Sequence, residues 1–294
     1  MALTIYEFFG FDPLDSSLEA KHHRATHRCP FLGQECVKKY QDGVPNGACT
    51  LKPATSGPVI CCPIRMYADD YRILHDVAKS AFGDDVRLIR HLSEATCDGK
   101  DVIVFGKRWG KELRLPNRGK SGRYFVDWIL AHLDTKKTLK EFVAVEVQTM
   151  DTTGTYRPAI EALLKGEVQV KSKAGINWEN VSKRILPQII YKGHVLRREP
   201  LCLKGLYFIC PRRVYEGINV RLGGNLQEYH PQPGALTFRW YDVAASNVAG
   251  TPRLLEFQGQ KTTTVDQVAL AFTAPGNLPS PRVYEAAIRA EIES

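Results

Sequence analysis

The chain has 294 residues, 44% hydrophobic and 24% charged, a balance that excludes disordered and fibrous classes and leaves apolar material for a substantial core. Its 40 Lys plus Arg against 32 Asp plus Glu leave a net charge of +8, which favours a polyanionic partner. No apolar run approaches the roughly 18 residues of a membrane span, so no membrane partner is expected. The first element, MALTIYEFFGF, reads as a short amphipathic helix. Without a basic leader or cleavage site around it, a cytoplasmic location is expected, where thiols stay reduced. No Gly/Ser-rich or Pro-rich linker divides the chain, so one compact body with an N-terminal appendage is expected. Residues 1–65 would form the N-terminal helix and a metal-binding segment, and residues 66–294 the main domain with a C-terminal elaboration.

Five of the eight cysteines, Cys29, Cys36, Cys49, Cys61 and Cys62, lie close together among the turn formers Pro30, Gly33, Gly43, Pro45, Gly47, Gly57, Pro58 and Pro63. That stretch has too little apolar content to fold by burial. A tetrahedral thiolate metal site, contributing on the order of 10–16 kcal/mol of apparent binding energy, would organise it. The expected ligands are Cys29, Cys36, Cys49 and one of the adjacent pair, Cys62 before Cys61 because it directly precedes Pro63 and the next helix. Zinc is the chemical default for four thiolates, and iron fits the same geometry. His22, His23 or His27 could replace one thiolate. Cys97, Cys202 and Cys210 lie in or beside apolar stretches and read as small buried hydrophobes.

Helical spacing follows from Tyr67 to Ser80, and then strand patterns in VRLIRHL, DVIVFG, KELRL, RYFVDWIL and EFVAVEVQTM. Helices are expected at Tyr156–Lys165 and about Asn177–Arg197, and strands in LKGLYFIC, ALTFRWYDV and RLLEFQG. Helices near Thr263–Phe272 and Arg282–Ile292 complete the order, which predicts an α/β fold with a mixed central sheet flanked by helices.

Within Val143–Gln148, alternation puts three valines on one face and Ala144, Glu146 and Gln148 on the other. Polar groups in a central strand are costly to bury without partners, and a divalent cation is one such partner. The same applies to Asp127, a lone acid in the apolar run Tyr124–Leu130. If the two strands are neighbours, Asp127 and Glu146 converge where their oxygens could hold Mg2+ and a phosphate, the apparatus of phosphodiester hydrolysis. Gln148 could orient the attacking water, and Glu112 is a plausible extra ligand or base. The competing reading of both acids is a satisfied buried hydrogen bond or an ion pair with the many nearby Lys and Arg, and for Glu112 alone that reading is favoured.

On these residues the chain resembles the NotI-type restriction endonucleases, a branch of the PD-(D/E)XK nucleases. The matching pieces are EFFG at Glu7–Gly10, CPF at Cys29–Phe31, CVK at Cys36–Lys38, GAC ending at Cys49, CP at Cys62–Pro63, VDW at Val126–Trp128 and EVQTMDTTGTY at Glu146–Tyr156. The resemblance covers roughly residues 6–215, and the spacing from Cys29 to Cys36 is shorter than the family suggests. It implies a restriction-endonuclease-like core and a type II enzyme, a homodimer cutting both strands of double-stranded DNA at a palindromic, GC-rich site with Mg2+. It further implies iron rather than zinc at the cysteines and a cognate DNA methyltransferase in the host. It supports Glu112, Asp127, Glu146 and Gln148 as the active site, with Gln148 where most PD-(D/E)XK nucleases have Lys.

Candidate DNA contacts are Arg157, Lys171 and Lys173 beyond the catalytic strand, then Lys183, Arg184 and Gln188 on the next helix, where Lys192 also falls at helical spacing. Each taken singly is better explained as a solvated polar or charged surface group than as a base reader. Two other functions compete: a non-catalytic, metal-stabilised DNA-binding protein, and a nuclease of repair or recombination that recognises DNA structure.

Overall fold

The computed structural model describes residues 3–113, 125–167, 172–274, 276, 278 and 280–293. Lys171, the end of the expected strand KELRL and the start of RYFVDWIL lie outside them, and Lys111–Leu113 of KELRL are not in a strand.

The N-terminus is a strand, β1 (Leu3–Phe8), where a helix was predicted. The reason is visible in its burial: Leu3, Ile5 and Glu7 are buried with Thr4 and Tyr6 less so between them, a two-residue period that suits a sheet face, and a register shift beside Glu7 buries Phe8 as well. Next come α1 (Leu18–Ala25), capped by Ser17 Oγ accepting from the Ala20 N–H, and the small hairpin of β2 (Arg28–Cys29) and β3 (Gln34–Glu35). β4 (Ala48–Pro53) pairs antiparallel with β1 and with β5 (Val59–Ile60). Gly47 has φ +71°, and a Cβ there would lie 2.4 Å from the Phe9 ring, so only glycine fits before β4.

A 3-10 turn, Pro63–Tyr67, leads into α2 (Ala68–Phe82), which becomes regular after left-handed residues at Asp69, Asp70 and Tyr71. β6 (Arg87–Ile89), β7 (Asp101–Gly106), β8 (Trp128–Leu133) and β9 (Leu139–Val147) follow, then β10 (Thr152–Thr153), α3 (Arg157–Leu164) and β11 (Gly175–Ile176). A π-helical turn, Val181–Ile185, runs into α4 (Leu186–Leu196). The chain continues through β12 (Leu206–Pro211), α5 (Arg212–Arg221), β13 (Ala235–Val243), β14 (Leu255–Thr264), α6 (Val265–Thr273) and α7 (Val283–Ile292).

Seven of these strands form one mixed sheet in the order β14-β13-β12-β9-β8-β7-β6, with β9, β12 and β13 parallel at its centre. Its two faces carry separate cores, as the alternation along β9 requires. Val143, Val145 and Val147 pack with Ile73 and Val77 of α2 and with the cysteine segment. Ala144 packs on the other side with Ile189 of α4, Val214 of α5 and Val268 of α6. Glu146 and Gln148 follow the parity of Ala144 and therefore project towards α4.

The N-terminal segment is fastened to this body in two places. Residues of β1 share a core with Tyr156, Ala159 and Ile160 at α3. The Glu7 carboxylate, fully buried, takes the Arg65 Nε–H at 3.0 Å and the Thr50 hydroxyl, while Arg65 Nη2 donates to the Arg253 carbonyl at 2.6 Å.

Candidate active site and thiol cavity

β8 begins at Trp128, so Asp127 stands immediately before the strand rather than inside it, as RYFVDWIL had suggested. The antiparallel register pairs Trp128 with Val145, so Asp127 falls opposite Glu146. Asp127 Oδ2 accepts the Val147 N–H at 2.8 Å, which holds its carboxyl beside that of Glu146. Solvent reaches Asp127 on one side while protein crowds the rest of its carboxyl, and this crowding raises its pKa against the Val147 hydrogen bond and the charge of Lys192. Glu146 is 7% exposed. Burial first, and the neighbouring Asp127 second, raise its pKa to about 7, with Lys192 opposing.

Lys192 of α4 reaches Glu146 from the far face of the sheet, its Nζ 2.5 Å from Oε1. Among the described residues, the other carboxylate oxygen, Oε2, is buried without a hydrogen-bond partner of ordinary geometry. Tyr67, at the end of the 3-10 turn, takes the Trp128 indole N–H at 3.1 Å, and burial beside Asp127 raises its hydroxyl pKa. Gln148 lies on the Glu146 face of β9, and its amide donates to the Thr149 carbonyl at 3.0 Å. Glu112 is exposed, and among the described residues no recorded contact joins it to Asp127 or Glu146.

Arg184 pairs with Asp151 at 3.1 Å beside a polar cleft of about 380 Å3, bordered also by Lys38, Tyr156 and Asn180. Arg157 is held by Asp42 and Glu161, Lys183 pairs with Glu179, and Lys173 and Gln188 are exposed. Lys192, which the sequence groups with surface positions, instead reaches Glu146. Its signal is parity: α4 covers the face on which Glu146 projects.

Cys29, Cys36, Cys49 and Cys62 line one small cavity with Phe9 and Ile64. Two hairpins bring them there. The β2–β3 hairpin carries Cys29 and leads into Cys36, while the Cys49 carbonyl accepts the N–H groups of Cys61 and Cys62 at 3.0 and 3.2 Å. Cys61 points elsewhere, its thiol directed at the Cys49 carbonyl and met by Lys38 Nζ at 3.6 Å. His23 is engaged by the Arg28 carbonyl and Glu19, and His27 stacks on Phe9. Burial raises the pKa of Cys29 and Cys49 and pushes that of Cys62 up to about 12, so ionising several of these thiols together requires a cation between them. Among the described residues, no group of three or more His, Cys, Asp or Glu side chains is gathered closely enough to hold a metal ion as placed. Cys202 and Cys210 are buried as expected, but Cys97 is exposed, because it turns the chain with φ +65° ahead of β7.

Residues 16–201, well over half of the chain, match the family described as restriction endonuclease NotI. The class is that of site-specific deoxyribonucleases, enzymes that act on double-stranded DNA. Within it, the chain belongs to the NotI restriction endonuclease family. No curated protein matches the chain. Among the described residues no helix is long and apolar enough to cross a membrane.

Proposed function

We propose that Asp127 and Glu146 form the Mg2+-dependent cutting site of a type II enzyme built on a PD-(D/E)XK-type core. The observation that carries this reading is a pair of adjacent carboxylates, one with a buried oxygen that has no hydrogen-bond partner of ordinary geometry among the described residues. Such an oxygen is costly unless a cation or proton meets it, and Mg2+ suits a site of two carboxylates because it keeps several waters. Held there, Mg2+ would lower the pKa of water and neutralise phosphate charge. Asp127 is fixed for this task by the Val147 N–H, and Glu146 by its buried place on β9. Gln148 orients the attacking water through its side-chain carbonyl. In the hydrolysis, the water oxygen bonds to phosphorus as the bond to the leaving sugar oxygen breaks. One proton passes to solvent and another is returned to the leaving oxygen.

The cavity thiols Cys29, Cys36, Cys49 and Cys62 are the donor set of a structural iron or zinc site, which four buried thiols suit. A homodimer would place one cutting site on each strand of a palindrome. Arginines bidentate to guanine would favour a GC-rich target, and a cognate methyltransferase would protect the host at that site. A reducing cytoplasm agrees with eight free cysteines. Substitutions test the cutting site: Asp127→Asn and Glu146→Gln should each lose more than about 100-fold in Mg2+-dependent cleavage, the loss that even a supporting partner of a metal ligand carries. DNA binding measured without Mg2+ should persist. Cleavage at the normal rate by either variant would contradict the assignment.

A further inference from the structure

We propose that Lys192 of α4 is the catalytic cation of this site: it holds Glu146 before DNA arrives and contacts the scissile phosphate once DNA is in place. The inference rests on reading Asp127 and Glu146 as the cutting site.

Three observations carry it. First, Lys192 touches the site directly, at 2.5 Å from Glu146 Oε1, and its side chain retains 21% exposure, so it is sheltered without being sealed off. Second, the strand itself offers no positive charge here, because Gln148 is neutral and spends its amide on the Thr149 carbonyl. Third, among the described residues, Arg184, Lys183 and Arg157 are committed to acids outside the pair: Arg184 to Asp151, Lys183 to Glu179, and Arg157 to Asp42 and Glu161.

The fold places this ammonium firmly. Ile189, Gly193 and Leu196 form the buried stripe of α4, and Lys192 flanks it, its stem on the apolar face and its head towards β9. At Gly193 the helix approaches α6 so closely that a Cβ would lie 2.8 Å from Val265. α4 therefore has little freedom to withdraw the lysine.

Hydrolysis of a phosphodiester brings negative charge onto the phosphoryl oxygens as the attacking oxygen bonds to phosphorus. A preorganised cation in a partly dehydrated site stabilises that charge more than it stabilises the ground state. Lys192 answers this need without giving up a proton. Glu146 holds it poised until a phosphate oxygen competes for it.

The test compares Lys192→Met, Lys192→Arg and Glu146→Gln with the parent enzyme. Cleavage of phage DNA is followed with enzyme in excess and Mg2+ saturating, DNA binding is followed without Mg2+, and a cooperative thermal melt checks that each protein is folded. Lys192→Met should slow cleavage on the order of 100-fold or more with DNA affinity little changed, because the cation acts chiefly on the charge that develops in the transition state. Lys192→Arg should recover a large part of the rate, and ethylammonium added to Lys192→Ala should restore some of it, which a purely structural role would not allow. Parent-like cleavage by Lys192→Met alongside an inactive Glu146→Gln would overturn the role of Lys192 and leave the carboxylate site standing. If Lys192→Met does not fold, equal rates for Lys192→Arg and Lys192→Gln would overturn it. Parent-like cleavage by Glu146→Gln would instead remove the site on which the inference rests.

Discussion

Glu146 sits under three pressures at once: burial and the neighbouring Asp127 favour its protonated form, and Lys192 favours the ionised one. The result, a pKa near 7, makes two pH effects predictable. A carboxyl raised in the folded state stabilises the metal-free fold fully below the ordinary glutamate value of about 4.3, and that contribution is lost as pH rises through the folded value. Melting of the metal-free protein should accordingly lose stability between those limits, and Glu146→Gln should flatten that part of the profile. Cleavage runs the other way, since Mg2+ needs the carboxylate. At limiting Mg2+ the rate should fall as pH drops below about 7, and added Mg2+ should move that acidic limb to lower pH by competing with the proton. An acidic limb that ignores Mg2+ would show that the titrating group is not a ligand.

At the scale of elements, the two hairpins before Pro63 exist to bring four thiols to one cavity, and they separate Cys62 from Cys61. Metal analysis of purified protein should find about one iron or zinc per chain, the stoichiometry of a closed four-thiolate site. Cys62→Ser should lose it with a lowered melting temperature, while Cys61→Ser should keep it. Retention of metal by Cys62→Ser would contradict the ligand set. Much of this was legible in the chain, because cysteine density and the Pro63 boundary are local. β7 and β13 coincide with their runs, and the alternation along β9 was readable for the same reason. The start of β8 was not: Phe125 and Val126 are apolar enough to extend a strand pattern, yet β8 begins only at Trp128. Lys192 was harder still, for its contact with Glu146 depends on α4 crossing one face of a sheet whose strand order no local pattern encodes. The alternation of Leu3 and Ile5 with Thr4 and Tyr6 was present in the sequence, but Glu7 and Phe8 break it, and a short apolar run reads equally well as a helix.

For the molecule as a whole, buried charges tie the N-terminal segment to the sheet. Glu7 on β1 binds Arg65 of the 3-10 turn, Arg65 binds the Arg253 carbonyl, and Arg253 pairs with Asp12 at 2.7 Å. Glu7→Gln would strand the Arg65 guanidinium in the core, where breaking a buried pair costs about 3–5 kcal/mol. Denaturant unfolding should register that loss across the whole transition. An early transition confined to the N-terminal segment would instead show that the two parts are independent.

The most direct test of the central claim is digestion of long double-stranded phage DNA by purified protein with Mg2+, with Glu146→Gln run alongside. Asp127 and Glu146 as the cutting site predict discrete fragments from the parent protein and none from the variant. Binding without cleavage across a range of divalent metals, or an identical fragment pattern from Glu146→Gln, would contradict it.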